Sequence, residues 1–518
     1  MSEQLAAAFR VLPLYLGWHV LLSASALALG LLLSAPLAVL AARSARVRWP
    51  VLAVAGLIQT IPSLALLALF YPLLLALSAL AKDLFGHGFP ALGFLPSLLA
   101  LTLYSMLPML RNAVTGLTGV DPAIVEAAKG VGMTDTQRLW KVEAPLAAPV
   151  AMAGVRTAAV WVIGTATLAT PVGQTSLGDY IFSGLQTENW VLVLFGCAAS
   201  AGLAFVVDQL LGLIETGLAR RDRRRIVIGL GTLLLGVALA SAPLLAASVK
   251  PQGYKVGAKN FSEQYILASL ISDRLQRTGA RVTEKNDLGS VIAFRALAAN
   301  DIDVYVDYSG TLWTTVLGHK DAPARAQLLA QMTRELEMRY GVVVLGPLGF
   351  ENAYALVMRR PEADRLGIKS IADLAPHAPD LTLGSDLEFL SRVEWRGLQS
   401  AYGLRFRAER QFQPTFMYKA VKDGEADVIS AFSSDGRIAA DDLVVLSDPK
   451  GAIPPYDAVV LIAPKRATDQ RLIGALKPLL GRIPVEAMRK ANLSVDRDAD
   501  KRSSSDAAQA LAKAIGLN

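Results

Sequence analysis

The chain has 518 residues, of which 53% are hydrophobic and 18% charged, so it is too apolar for an ordinary soluble protein and long enough for more than one domain. Residues 1–250 hold 16 Lys+Arg against 11 Asp+Glu, and because this basic excess lies in the apolar half, it indicates membrane topology rather than nucleic-acid binding. A single cysteine, Cys197, excludes an internal disulfide and a cysteine-rich metal site.

Six apolar stretches in the first half are each long enough to cross a bilayer, for which about 20 residues suffice. The predicted spans are Leu14–Ala41, Val51–Leu80, Phe94–Leu110, Val150–Pro171, Trp190–Leu213 and Ile226–Ser248, and Pro62 and Pro72 interrupt the second of them. Basic residues follow the first span at Arg43 and precede the sixth at Arg220–Arg225, and the positive-inside rule places both on the cytoplasmic side. With six spans, everything after the sixth lies outside the cytoplasm.

Between the third and fourth spans lies an amphipathic, charged stretch, Glu126–Pro149, which reads E-A-A-K-G-V-G-M-T-D-T-Q-R-L-W-K-V-E-A-P-L-A-A-P. Its small residues allow a short helix to sit close against a partner, and Gly132 permits a sharp turn. Pro145 and Pro149 mark helix ends or kinks. This pattern resembles the EAA loop of bacterial ABC-importer permeases.

The resemblance implies that this loop docks into a groove of a cytoplasmic ATPase and couples it to the membrane helices. The implied coupling residues are Glu126, Ala127, Ala128 and Gly132. No Gly-Lys-Ser or Gly-Lys-Thr occurs in the sequence, so there is no P-loop. ATP hydrolysis is therefore expected on a separate chain.

The sixth span has two interpretations. The basic run Arg223–Arg225, an apolar core and the small residues of Ser241–Ser248 resemble a signal peptide with a cleavage site, which would release the second half. The length of the apolar run favours an uncleaved tether instead. The resulting division is a permease domain over 1–225, a tether over 226–250 and an extracytoplasmic domain over 251–518.

From Tyr254 the sequence takes on a soluble α/β pattern, in which short β-like runs alternate with helical stretches. This alternation predicts parallel sheets, and about 265 residues are enough for two lobes, the second covering roughly 359–450. The predicted strands are Tyr254–Gly257, Asp303–Val306, Val342–Leu345, Tyr354–Met358, Leu381–Gly384, Asp427–Ala431 and Ala458–Ile462. The predicted helices include Glu263–Arg277, Pro323–Arg339 and Met417–Lys422.

Six phrases in this half resemble, in the same order, the substrate-binding proteins of the glycine betaine/carnitine/choline importer family. They are Gly257–Gln264 (G-A-K-N-F-S-E-Q), Asp303–Thr311 (D-V-Y-V-D-Y-S-G-T), Asn352–Tyr354 (N-A-Y), Glu388–Arg392 (E-F-L-S-R), Ser433–Arg437 (S-S-D-G-R) and Pro454–Asp457 (P-P-Y-D). The resemblance implies a two-lobed periplasmic-binding-protein fold joined to an α-helical transmembrane permease.

The ligand chemistry of such a site follows from the solute. A quaternary ammonium has no N–H donor, so aromatic faces hold it, each contributing roughly 0.5–2 kcal/mol. A carboxylate at the other end of a zwitterion favours Arg or Lys. By resemblance, the aromatic cage is Tyr308, Tyr354, Tyr456 and Phe432, the last at a position where Tyr is usual. By resemblance, the polar contacts are Lys259, Thr311 and Arg392 to the carboxylate and Asn352 near the cationic head.

The leading hypothesis is an inner-membrane ABC-importer subunit that captures a small quaternary-ammonium solute and pairs with a second copy and a cytoplasmic ATPase. An ergothioneine importer is the alternative within this class. A membrane-anchored sensor without transport is a rival from another class, against which the intact loop argues. An enzyme ranks last because the sequence shows no nucleophile–base motif, and its four histidines have no metal-like spacing, so no catalytic residue, metal or cofactor is expected.

Overall fold

A computed structural model of the protein describes residues 3–187, 189–248, 253–319, 321, 323–386, 388–412, 414–497 and 500–517. The chain divides into two compact units. The first comprises residues 1–182 and 191–251, and the second comprises residues 252–518 with 183–190.

Among the described residues, ten α-helices run from the N-terminus to residue 248. They are α1 (Glu3–Arg43), α2 (Ala45–Thr60), α3 (Ser63–Phe85), α4 (Phe94–Thr118), α5 (Pro122–Gly130), α6 (Asp135–Arg138), α7 (Ala144–Ala166), α8 (Gly178–Gln186), α9 (Trp190–Ala219) and α10 (Arg223–Ser248). A π-helical turn, Leu139–Glu143, joins α6 to α7, and a 3-10 turn, Thr167–Val172, follows α7.

Six helices in the described part of the chain are long and apolar enough to cross a membrane, which confirms the predicted number. They cover Ala8–Arg43, Ser63–Phe85, Phe94–Thr118, Asp135–Val172, Trp190–Ala219 and Arg223–Leu244. The predicted second span, Val51–Leu80, is broken at Pro62 as expected, whereas Pro72, the other predicted interruption, lies inside α3. The chain leaves the helix at Ile61, because the residue before a proline is biased to extended backbone, and α3 starts anew at Ser63.

The core of the permease forms where α4 packs against α1 and α7. Small residues bring the helices close, as in other membrane bundles. A Cβ on Gly30 would lie 1.9 Å from Ser105 Oγ, and a Cβ on Gly154 would lie 2.6 Å from the Pro108 carbonyl oxygen. These contacts leave no room for a side chain, so both glycines are needed for close helix packing.

The predicted tether is helical as far as the structure describes it, because α10 continues to Ser248. The predicted cleavage segment 241–250 extends beyond this point, and residues 249–250 lie outside the described residues.

The second unit contains two five-stranded sheets, with strand orders β2-β1-β3-β10-β4 and β7-β6-β8-β5-β9. The strands are β1 (Tyr254–Lys259), β2 (Val282–Leu288), β3 (Val304–Tyr308), β4 (Val343–Glu351), β5 (Tyr354–Arg359), β6 (Thr382–Ser385), β7 (Ala408–Gln411), β8 (Val428–Phe432), β9 (Leu443–Val445) and β10 (Asp457–Ile462). The helices are α11 (Ser262–Arg277), α12 (Ser290–Ala298), α13 (Ser309–Thr311), α14 (Arg325–Tyr340), α15 (Arg360–Leu366), α16 (Ile371–Leu374), α17 (Val393–Tyr402), α18 (Pro414–Lys422), α19 (Arg437–Ala440), α20 (Gln470–Leu476), α21 (Val485–Asp496) and α22 (Ser504–Ala514).

Each sheet forms the centre of one lobe, so the two-lobed fold is confirmed, but the prediction of parallel sheets is wrong. β1 pairs in parallel with β2 and β3, whereas β10 is antiparallel to both β3 and β4. In the second sheet β6 pairs in parallel with β7 and β8, and β5 is antiparallel to β8 and β9. The reason is the path of the chain: β5 and β10 are the first strands after each crossing between lobes, so they enter their sheets from the cleft.

Candidate functional site

The site lies between the two lobes, at the ends of strands that point into the cleft. The parallel strands β1, β3, β6 and β8 end there, which is where open α/β sheets bind ligands. The antiparallel strands β5 and β10 begin there instead. A cavity of about 240 Å³ occupies this place.

All eight residues predicted to contact ligand line this cavity, and their binding roles stay a prediction. The first lobe contributes Lys259 at the end of β1, Tyr308 at the end of β3, Thr311 on α13, and Tyr456 just before β10. The remaining four are Asn352, Tyr354, Arg392 and Phe432. Residues as distant in sequence as Lys259 and Tyr456 therefore meet in one site.

Aromatic rings form a continuous series through the cavity. Tyr354 and Phe432 are partners across the β5–β8 ladder, and their ring centroids are 5.1 Å apart. Tyr354 also meets Tyr456 edge to face at 6.2 Å. On the other side Phe261 stacks at 6.5 Å from Phe432 and 6.1 Å from Tyr308. We call these five residues the ring series.

Tyr456 is fixed by contacts of the segment that carries it. The Ser309 hydroxyl donates to the Pro455 carbonyl (2.9 Å) and accepts from the Asp457 N–H (2.9 Å). The ring lies directly against Gly310, where an added Cβ would be 2.5 Å from Tyr456 Cζ. The ring can occupy this position only because Gly310 has no side chain.

A hydrogen-bond network surrounds Glu263 at one end of the ring series. The carboxylate accepts from the Tyr308 hydroxyl (2.6 Å), from Asn352 Nδ2 (3.1 Å) and from Asn492 Nδ2 (2.9 Å). Burial raises the pKa of Glu263. Burial also raises the pKa of Tyr308 well above its ordinary value, so the phenol keeps its proton and donates.

The predicted carboxylate-binding cations already have acidic partners. The Lys259 ammonium is bonded to the buried Asp307 carboxylate. Arg392 contacts Glu394 through Nε and Glu388 through Nη1, each at 3.2 Å. Since Glu388 is largely exposed, a ligand carboxylate can take its place on Arg392 at small energetic cost.

Several residues of the cavity wall were not predicted. Phe261 and Glu263 lie inside the quoted phrase Gly257–Gln264, so a search for aromatic and acidic side chains within it could have found them. Asn492 and Asp496 lie one helical turn apart on α21. They could not be predicted, because the sequence does not distinguish buried polar residues of an amphipathic helix from those on its exposed face. The other unpredicted polar residues of the wall include Asp386, Ser434, Asp435 and Arg437.

Ligand affinity is expected to fall on acidification. Burial raises the pKa of Asp386, and it raises the pKa of Asp496 to about 6 against the opposing effect of Arg437. Because protonation removes negative charge from the cavity, protons compete with a cationic ligand. We expect the dissociation constant to rise about fourfold from pH 7.5 to pH 5.5, which is the largest change that protonation of one group with a pKa of about 6 can produce. Calorimetric titration at pH 7.5 and at pH 5.5 measures the two dissociation constants. Asp496→Asn should reduce the difference between them. An affinity that does not depend on pH in the wild type would contradict the prediction.

The predicted coupling residues lie on a separate part of the chain, in the first unit. Glu126 and Ala127 are exposed on α5, Ala128 is buried, and Gly132 turns the chain after α5 with a φ of +79°. Asp121 caps α5 by accepting the Ala123 N–H at 2.9 Å. This arrangement presents one short helix with an exposed face beside the membrane helices.

The helix–loop–helix around α5 also exposes apolar side chains. Ile124 is 42% exposed, and Val131 is 74% exposed. Exposed apolar residues on a small, rigid, charged segment are typical of a protein docking surface.

Two protein-family models match the chain. The model described as the substrate binding domain of ABC-type glycine betaine transport systems matches residues 253–514, and the model described as the inner membrane component of binding-protein-dependent transport systems matches residues 34–220. The chain belongs to the glycine betaine family of ABC importers. It combines an inner-membrane permease and a periplasmic substrate-binding domain in one polypeptide.

Relatives of this importer subunit show the same two parts, fused or separate. The ergothioneine transport permease/ergothioneine binding protein of Helicobacter pylori (strain G27) is 29% identical over 86% of this chain and 80% of its own length. A choline transport system permease protein of Bacillus subtilis (strain 168) is 39% identical over 40% of this chain and 88% of its own length. A solved glycine betaine/carnitine/choline ABC transporter structure is 27% identical, with a TM-score of 0.46, over 51% of this chain and 99% of that one.

Proposed function

We propose that this importer subunit captures a quaternary-ammonium solute of the glycine betaine, choline or carnitine type and passes it to its own permease domain. The observation that carries the proposal is the ring series around one cavity, with an acid, Glu263, at one end. Aromatic faces and negative charge attract a cation that offers no N–H donor. Arg392 at the other end can receive a ligand carboxylate. Closure of the two lobes over the solute encloses it.

An ergothioneine importer is the second candidate. It is favoured by the Helicobacter pylori relative, which is similar over 86% of this chain and therefore across both domains. Ergothioneine is itself a betaine, so the same rings and the same Arg392 serve it.

Titration of the full-length chain in lipid nanodiscs tests the solute class. Glycine betaine, choline, carnitine and ergothioneine are added in turn, and heat of binding is measured. We expect saturable binding of at least one of them, and the order of affinities decides between the two candidates. If none binds at millimolar concentration, the proposed solute class is wrong.

Transport further requires a cytoplasmic ATPase on a separate chain and, we propose, a second copy of this chain around the pathway. The coupling helix α5, with Glu126, Ala127, Ala128 and the turn at Gly132, is proposed to dock on the ATPase. The exposed Ile124 and Val131 supply apolar contact area there, and burial of apolar surface favours protein–protein association.

Replacing this apolar contact with charge should separate the two chains. We expect Ile124→Glu combined with Val131→Glu to reduce the ATPase that copurifies with the permease by about tenfold or more, because two buried carboxylates oppose docking. The control is Met338→Glu, which places a charge on a residue of α14 in the substrate-binding domain that is about as exposed as Val131 (76% against 74%). Unchanged copurification in the double variant would exclude α5 as the docking element.

A further inference from the structure

The hydroxyl of Tyr308 has a defined direction. Gln264 Nε2 donates to the Tyr308 oxygen at 3.0 Å, so the phenol proton is directed to Glu263 Oε1 at 2.6 Å. The other hydrogen-bond partners of the Glu263 carboxylate, the Asn352 and Asn492 amides, also donate. A group surrounded by donors acts as an acceptor, which is the role of an ionised carboxylate.

Glu263 has no cation in ion-pair contact, unlike three other acids near the cavity. Asp307 is paired with Lys259, Glu394 with Arg392, and Asp435 with Arg437. No ion pair among the described residues involves Glu263, although its side chain is buried. A buried charge that no cation neutralises acts more strongly on its surroundings than an exposed charge, because less water and salt screen it.

We propose that Glu263 determines the preference of the pocket for a cationic group over an uncharged group of the same shape, and that it acts through Tyr308 without touching the ligand. This inference rests on the proposed function. Donation of the phenol proton to a carboxylate moves negative charge onto the ring, and hydrogen bonds in a row polarise one another. The face of Tyr308 then attracts a quaternary ammonium more strongly. Glu263 is thus a positioning residue that sets specificity.

The alternative is that Glu263 only holds Tyr308, Asn352 and Asn492 in place. Glu263→Gln separates the two roles, because glutamine keeps an acceptor oxygen and the same shape but carries no charge. The readout is a pair of ligands that differ only in charge: choline and its neutral isostere with carbon in place of the quaternary nitrogen. The same isosteric replacement of glycine betaine gives a second pair.

The experiment uses the full-length chain in nanodiscs, with the isosteres measured by competition. We expect Glu263→Gln to weaken choline and glycine betaine about tenfold and their carbon isosteres less than twofold. Equal weakening of cation and isostere would show a structural role only and overturn the inference. The matched control is Glu284→Gln. Glu284 lies on β2, accepts a hydrogen bond from the Ser269 hydroxyl (3.3 Å) and does not line the cavity, so this substitution should change the affinity of neither the cation nor its isostere.

A double-mutant cycle tests the route through the ring. If the charge acts through the Tyr308 hydroxyl, Tyr308→Phe removes most of the effect of Glu263→Gln, and the loss in the double variant is smaller than the product of the single losses. A loss equal to that product would overturn the route through Tyr308. Failure of the wild-type chain to bind any quaternary ammonium is seen before a variant is made, and it refutes the proposed function rather than the role of Glu263 alone.

Discussion

Alanine at position 310 is expected to abolish high-affinity ligand binding. Its Cβ would lie 2.5 Å from two atoms of the Tyr456 ring and 2.7 Å from a third, which no real Cβ tolerates. The Ser309 bonds to Pro455 and Asp457 hold the backbone on either side of Tyr456, and its hydroxyl is bonded to Glu394, so the ring must shift at the cavity wall and lose this position. Overpacking of this kind costs about 1–3 kcal/mol. Because the displaced ring is part of the cavity wall, we expect at least about a 30-fold loss of affinity, measured by calorimetric titration.

Gly474→Ala is the control for this substitution. Gly474 lies on α20, and a Cβ added there would meet no atom within 4 Å. Alanine at this position is therefore expected to leave binding unchanged and to stabilise the helix by about 0.5–1 kcal/mol. If Gly310→Ala binds ligand like the wild type, the contact between Tyr456 and the backbone does not shape the pocket.

Strand positions could be predicted from the sequence, but strand directions could not. Apolar β-branched runs such as Ala458–Ile462 locate a strand because burial on both faces selects those residues. The same residues suit either direction, so the alternation of strands and helices wrongly predicts parallel pairing for β10 and β5. Only the crossings between lobes, near Asn352 and Tyr456, decide their direction, and these crossings are tertiary features.

Site residues could be predicted from the sequence where they lie in a stretch that resembles the family. Tyr308, Tyr354 and Tyr456 came from a family resemblance and not from spacing, since a tyrosine near a strand end looks like any half-buried residue. The hydrogen-bond partners of the site residues could not be predicted from the sequence. Lys259 is bonded to Asp307, and Asn492 donates to Glu263. These contacts join elements up to 229 residues apart, so they depend on the tertiary fold.

A buried carboxylate, Glu143, also lies in the permease domain, where α1 meets the segment that follows the proposed coupling helix α5. Glu143, the last residue of the π-helical turn, is 4% exposed and is bonded by both terminal nitrogens of Arg43 at the end of α1. Arg138 Nε donates to the same carboxylate at 2.8 Å. One acid thus fastens α1 to the segment that carries α5, and π-turns of this kind are frequent at functional sites.

Glu143→Gln is therefore expected to loosen this junction. Removing the charge of Glu143 leaves the partly exposed Arg43 without an acid and Arg138 with Asp135 alone, at a cost of about 1–3 kcal/mol. We expect a lower melting temperature of the purified chain and a large loss of solute uptake in cells that express the whole importer, with ligand binding unchanged, because the cavity residues lie on other elements. Asp222→Asn, which breaks the exposed pair with Arg225 (3.1 Å), should cost less than about 1 kcal/mol and preserve uptake. If Glu143→Gln has the melting temperature and the uptake of the wild type, the ion pair between Arg43 and Glu143 does not couple α5 to α1. The coupling segment would then act on the membrane helices through the backbone of α7.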